Sequence, residues 1–194
     1  MLRKILESPV STPKEMLYLE LGVLPIGFIL RMRRLNFLKY ILDEDENSLI
    51  HTFLKAQLED PTPNDWGQSC LQDLEVLDLK VTVADIKAMP KSTFRNLVKK
   101  QTNKNGLEYL NQEKEKHSKV AHISHSCLEI QNYLELQKLS VQEAKFLFAL
   151  RSRMLEVKGN YRGKHKDIIC PCCKLEEDHQ HHLLVCSKLN TVSE

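Results

Sequence analysis

The sequence predicts an all-α protein, a helical bundle followed by a small cysteine-rich element. Three observations carry that expectation. Glycine and proline are sparse, six and seven among 194 residues, while Leu, Lys and Glu recur throughout. Apolar residues return at intervals of three and four in most of the stretches between the prolines. Four of the six cysteines fall within residues 170–186, a stretch that also holds His179, His181 and His182.

Composition narrows the class. Hydrophobic residues at 42% and charged residues at 28% suit a folded domain rather than a disordered chain. A formal net charge of +2 selects no polyanionic partner, so local charge must carry any such argument. There is no run of eighteen apolar residues, and the first five residues lack the apolar core of a signal peptide. The chain therefore reads as intracellular, nuclear or cytoplasmic, with no membrane partner. In that setting clustered cysteines bind metal more often than they form disulfides.

The elements follow in order. Thr12-Pro13-Lys14-Glu15 offers a cap, a proline suited to the first helical position and a glutamate that reaches back. Met16, Leu17 and Leu19 continue that helix, and Gly22 ends it. Pro25 opens a longer helix with Ile26, Ile29, Leu30, Phe37, Leu38, Ile41 and Leu42 on its apolar side. Arg31, Arg33, Arg34 and Lys39 lie across from them, and Asp43 to Glu46 form a cap and turn. A third helix spans about 47–58, with Leu49, Ile50, Phe53, Leu54 and Leu58 facing inward. Asp65-Trp66 starts a short helix in which Trp66 anchors packing, and a turn or two from Thr82 stops at Pro90. From Ser92 a long charged helix carries Phe94, Leu97, Val98, Leu107 and Leu110, interrupted near Asn103 to Gly106.

Residues 114–126 are polar and read as a hinge between a bundle over 1–113 and a C-terminal part over 127–194. His117, His122 and His125 within it read as solvent-exposed. Residues 127–139 predict a helix carrying Leu128, Ile130, Tyr133, Leu134 and Leu136. Ser140-Val141-Gln142-Glu143 is a capping box for a helix from Ala144 to Leu155, with Phe146, Leu147, Leu150 and Met154 on one face. Cys70 and Cys127 read as buried small apolar residues.

The cysteine-rich end carries the chemistry. Cys170, Cys173, His182 and Cys186 have the spacing Cys-x2-Cys-x8-His-x3-Cys. Zinc takes four tetrahedral nitrogen and sulfur ligands, and two cysteines two residues apart reach one ion from a tight turn. A His and a Cys four apart share a helix face, here on a short helix beginning near His179. Spacing favours Cys173 and His182, with Cys172, His179 and His181 as alternatives. The site reads as closed and structural, holding one Zn2+.

Just before it, Arg151, Arg153, Lys158, Arg162, Lys164 and Lys166 stand against Glu156 alone, with Tyr161 among them. Lysine and arginine neutralise phosphates and release counterions, and an aromatic ring stacks on an unpaired base. A basic run fixed by a zinc element is therefore a nucleic-acid contact in outline. Catalysis finds no support: phosphate-loop, His-Glu-x-x-His and Gly-x-Ser-x-Gly motifs are missing, and no two aspartates are adjacent.

The order of features then resembles a known family. Ser11-Thr12-Pro13-Lys14-Glu15-Met16-Leu17-Tyr18-Leu19-Glu20 precedes Gly22-Val23-Leu24-Pro25 and Arg33-Arg34-Leu35-Asn36-Phe37-Leu38. Ala56-Gln57, Pro61, Asp65-Trp66, Phe94-Arg95-Asn96-Leu97-Val98-Lys99 and His117-Ser118-Lys119 follow. Glu143-Ala144, Leu150-Arg151-Ser152-Arg153-Met154, Cys170-Pro171-x-Cys173 and His182-Leu183-Leu184-x-Cys186 complete the set. Across essentially the whole chain this is similar to the C-terminal region of reverse transcriptases encoded by non-LTR (LINE-like) retrotransposons.

The resemblance implies a thumb, a helical linker and a terminal CCHC zinc element ligated by Cys170, Cys173, His182 and Cys186. It implies contact with template RNA, target DNA or their hybrid, most directly through Arg33, Arg34, Arg151 and Arg153, which lie in matching stretches. Tyr161, Arg162 and Lys164 join them on local composition. Fingers, palm and endonuclease have no counterpart, so the expectation is a non-enzymatic fragment of a transposable element with no small-molecule substrate. The alternatives are a zinc-stabilised protein-interaction module and a relic with no activity.

Overall fold

A computed structural model describes residues 2–135 and 139–189, and those residues are helical without a β-sheet. The α-helices are α1 Leu2–Ile5, α2 Lys14–Glu20, α3 Ile26–Asp43, α4 Leu49–Glu59, α5 Trp66–Val76, α6 Val83–Ala88, α7 Lys91–Glu115, α8 Val141–Arg151 and α9 Gln180–Val185. Short 3-10 segments cover Asn132–Leu134 and Lys158–Lys164. The all-α expectation holds. The chain forms two compact units, residues 23–109 on one side and residues 1–22 with 110–194 on the other. The sequence had placed its boundaries at 113 and 126.

In the 23–109 unit, α3 packs against α4, α5 and α6. Leu35, Leu38, Ile41 and Leu42 of α3 are buried, as are Leu54, Leu74, Leu77, Ile86, Phe94 and Val98. Each such aliphatic side chain contributes about 1.5–3 kcal/mol by leaving water. Trp66 meets Phe37 edge-on with ring centroids 5.6 Å apart, the packing role expected of it. The two faces of α3 are less cleanly divided than its periodicity suggests. Ile26 and Leu30 are exposed, whereas Lys39 is buried and donates to Asp43 Oδ1 at 2.5 Å and Lys87 O at 3.1 Å. Arg31 and Arg34 turn to Asp73 of α5, at 3.4 and 3.1 Å.

Three further expectations for this unit change. On α4 only Leu54 is buried; Leu49 and Phe53 face solvent, because α4 touches α3 and α5 along one narrow stripe. α7 is continuous through Asn103 to Gly106. A Cβ on Gly106 would lie 2.2 Å from Leu24 Cδ2, so this glycine serves close packing rather than a break. Thr82 and Asp85 form a capping box that the sequence reading had passed over.

The other unit has a core of Leu6, Met16, Leu17, Val120, Ile123 and Phe148. Thr12 does not cap α2: Pro13 holds the cap position, and Thr12 is buried with its hydroxyl unpaired. Gly22, at φ +61°, does end that helix region. Residues 127–135 are not helical apart from the turn at Asn132–Leu134. Ile130 pairs antiparallel with Leu21, and Gln131 N–H donates to Glu20 O at 3.0 Å, so tertiary pairing overrides the local period. Leu136 lies outside the described residues. The Ser140–Glu143 capping box forms as expected. Along α8 the buried aromatic is Phe148, while Phe146 is exposed. Cys70 is buried, with burial pushing its thiol up to about 12, but Cys127 is exposed.

A buried polar cluster that the sequence did not disclose ties this unit together. Glu20 is fully buried and accepts from Arg151 at 3.1 Å and from the Tyr133 hydroxyl. His125 Nε2 lies 3.0 Å from the same carboxylate. His125 is therefore a core residue, not the solvent-exposed loop histidine its polar neighbours suggest. Burial alone would raise the Glu20 pKa, but hydrogen bonds from His125, Tyr133 and Arg151 outweigh it and hold it below the usual range.

Candidate metal centre

Ile169 and Glu177 pair antiparallel at the base of the element. Between them the chain turns: Cys170 N–H donates to Glu176 O at 2.8 Å and Lys174 N–H to Cys170 O at 3.0 Å. Lys174 takes the left-handed conformation, φ +57°, that closes the turn. α9 begins directly after His179, as the spacing predicted, and Cys186 follows its last residue. His182 and Cys186 consequently face the same side.

The three sulfurs of Cys170, Cys173 and Cys186 and a ring nitrogen of His182 all lie within 4.8 Å of one another. A tetrahedral ion with metal–sulfur bonds of about 2.3 Å spaces its sulfurs roughly 3.8 Å apart. The group is the size of one four-coordinate ion and can hold one. Cys170, Cys186 and His182 are buried, so the cluster is closed on most sides. Of the alternatives, Cys172 is exposed, His179 turns to Glu177 Oε2 at 2.6 Å and His181 is exposed.

The polar contacts of the cluster leave it able to hold a metal. Cys173 Sγ is 3.2 Å from His182 Nε2, and His182 Nδ1 is 3.1 Å from Glu176 Oε2. A carboxylate on Nδ1–H leaves the Nε2 lone pair free for a metal, the usual support for a ligating imidazole. Glu176 was not foreseen; its only sequence signal is an acidic residue between the two ligand pairs. The backbone N–H groups of Leu175 and Glu176 lower the Cys173 thiol to about 6, and that of Cys173 lowers Cys170. Burial raises Cys186. Burial also pulls His182 down, but hydrogen bonds with Cys170 and Cys173 leave it raised. Proton and metal therefore compete for that nitrogen.

The element is bonded to the basic segment before it. Buried Asp178 accepts from Lys158 N–H at 2.9 Å through Oδ2, and from Gly159 N–H at 2.8 Å through its carbonyl. A Cβ at Gly159 would sit 2.8 Å from that carbonyl, so the approach requires glycine. Lys158 Nζ donates to Ile169 O at 2.9 Å, and Asn160 Nδ2 to Gln180 Oε1 at 3.1 Å. Asp178 and Asn160 are thus positioning residues that carry no distinguishing signal in the sequence.

The residues expected to meet nucleic acid divide. Arg151, Arg153, Tyr161, Arg162 and Lys164 share a compact unit with the cluster; Arg33 and Arg34 belong to the other. Arg151 points to buried Glu20, Arg34 to Asp73, and Arg162 to Glu177 at 2.7 Å. Arg33 and Arg153 are exposed and have no ion-pair partner among the described residues. The Tyr161 hydroxyl donates to Met154 O at 3.1 Å, and its ring carries Lys119 and Lys164 at 4.3 and 5.2 Å. No helix among the described residues is long and apolar enough to cross a membrane. No protein-family model, curated protein or solved structure matches the chain.

Proposed function

We propose that the chain binds nucleic acid through the basic segment 158–166, held in shape by a structural zinc ion on Cys170, Cys173, His182 and Cys186. The observation that carries this reading is the tie between the two: Asp178, between the ligand pairs, accepts the N–H groups of both Lys158 and Gly159. Zinc is the metal favoured by three thiolates and one imidazole in a small closed site. Lys164, His165 and Lys166 are exposed beside it, and Arg153 adds an exposed guanidinium with no ion-pair partner among the described residues. Resemblance to the C-terminal region of non-LTR retrotransposon reverse transcriptases supports the same partner, RNA, DNA or their hybrid, and a role without catalysis.

The test is binding of RNA and DNA strands across salt concentrations. Phosphate contacts make the log of affinity fall linearly with log salt, by about 0.7 per contact on a single strand. One zinc per chain, lost in Cys173→Ser and His182→Ala, with binding lost alongside, is the expected result. A protein-interaction module is the second reading, favoured by the exposed Leu49 and Phe53 of α4. Zinc binding with no affinity for either nucleic acid would select it.

A further inference from the structure

Tyr161 was expected to stack on a base, but its surroundings fit another role. Its hydroxyl is tied to Met154 O, and its backbone breaks the 3-10 geometry at φ −130°, ψ 42°. Its ring lies under two ammonium groups, Lys119 at 4.3 Å and Lys164 at 5.2 Å from the centroid. A ring quadrupole attracts each cation, so one fixed ring holds two like charges against it. Neither lysine has a carboxylate partner among the described residues. Burial first and then the Lys164 charge pull the Lys119 pKa down. Beside them lies a cleft of about 430 Å³ lined by Ser11, Glu156, Lys158, Tyr161, Lys164 and His165. Lys158 is occupied by Asp167 at 3.6 Å and by Ile169 O, so Lys119 and Lys164 hold the uncommitted positive charge among the described residues, with the Glu156 carboxylate also lining the cleft.

We infer that Lys119 and Lys164, gathered over the Tyr161 ring beside this cleft, form a seat for one phosphate group of a bound nucleic-acid strand. Tyr161 is then a positioning residue and not a stacking platform. An anion between the two ammonium groups removes their repulsion and accepts charge-assisted hydrogen bonds from both. The strand as the source of the phosphate rests on the function proposed above; the seat itself is a matter of phosphate alone.

Two arms separate these. In the first, inorganic phosphate is titrated into the zinc-loaded full chain at fixed ionic strength while amide resonances are followed. Signals of Lys119, Tyr161 and Lys164 should move together, and cease to move in Lys119→Gln and Lys164→Gln. In the second, anisotropy of a labelled twelve-nucleotide thymidine strand is read against salt. Each lysine variant should lower the log–log slope by about 0.7, equivalent to roughly fivefold weaker binding at 0.1 M salt. Tyr161→Leu should lower the slope as the lysine variants do, because the lysines lose their common support. A stacking role would weaken binding with the slope unchanged. Strand binding with unaltered slopes in both lysine variants, or no local response to phosphate, overturns the seat and leaves nucleic-acid binding standing. A local phosphate response with no strand binding leaves the seat and overturns the strand as its source.

Discussion

The unit of residues 23–109 and the unit of residues 1–22 with 110–194 are stabilised by different physics. The first is mainly an arrangement of helices whose aliphatic stripes meet, with ion pairs that bury Asp73 against Arg31 and Arg34 and Lys39 against Asp43. The second has short helices and long irregular stretches. It relies on a small apolar core, a buried carboxylate with three partners and a four-ligand cluster. Apolar packing is spread over many side chains, so single losses are moderate. Polar anchors, and the metal anchor proposed above, concentrate stability in a few atoms, and their loss is severe and dependent on pH and metal.

The largest expected effect is removal of the zinc ion proposed above. Structural zinc sites in small peptides are worth about 10–16 kcal/mol at neutral pH. A strong chelator should collapse the amide dispersion of residues 158–189, and the collapse should reverse with added zinc. Trp66 emission, which reports on the helical unit, should hardly change. Loss of the Trp66 signal in step with the chelated element would break the comparison.

Glu20 comes next. Glu20→Ala leaves Arg151 and His125 facing a buried gap, and removing one partner of a buried pair costs about 3–5 kcal/mol. The folded-state pKa lies below the ordinary 4.5. Its contribution is therefore complete above about pH 4.5 and is lost as pH falls through the folded value. Denaturant midpoints measured from pH 7 down to 3 should decline in the parent; in Glu20→Gln the decline should be shallower. An unchanged slope in that variant would mean that other carboxylates set the acid limit.

Phe94→Ala probes the first unit by the same measurement. Emptying a fully buried phenylalanine site costs about 3–5 kcal/mol, and with no titrating group involved the loss should be the same at every pH. Phe53→Ala on exposed α4 should stay within about 0.5 kcal/mol. A pH-dependent loss at Phe94 would blur the distinction between the two units.

The same contrast governs what the sequence disclosed. Helices that bury one stripe announce themselves by period, so α3, α5 and the N-terminal half of α7 were legible in outline. The four residues of the Cys/His cluster were legible too, because the spacing that suits a tetrahedral ion lies within a short stretch. The Glu20 cluster was not, since its partners stand more than a hundred residues away and glutamate within a helix carries no mark of burial. Residues 127–135 failed for a related reason. Leu128, Ile130 and Tyr133 satisfy a helical period, but pairing with Leu21 and the hydrogen bond to Glu20 decide their conformation. Arg151 and Arg34 were expected to meet nucleic acid, and their pairing with Glu20 and Asp73 was not legible because those carboxylates are distant in sequence.

Gly106→Ala sets two small opposed effects against each other and tests how much a helical unit tolerates. Alanine in a helix interior gains about 1 kcal/mol over glycine. Against that, the new methyl group would stand 2.2 Å from Leu24 Cδ2 and must displace it. Cδ2 is the end of a flexible side chain, not backbone, so a rotamer change accommodates the methyl at a cost of the same order as the gain. Thermal or denaturant unfolding should place the variant within about 1 kcal/mol of the parent. A loss of several kcal/mol would mean that Leu24 cannot move, and that this part of the helical unit is as narrowly determined as the Glu20 cluster.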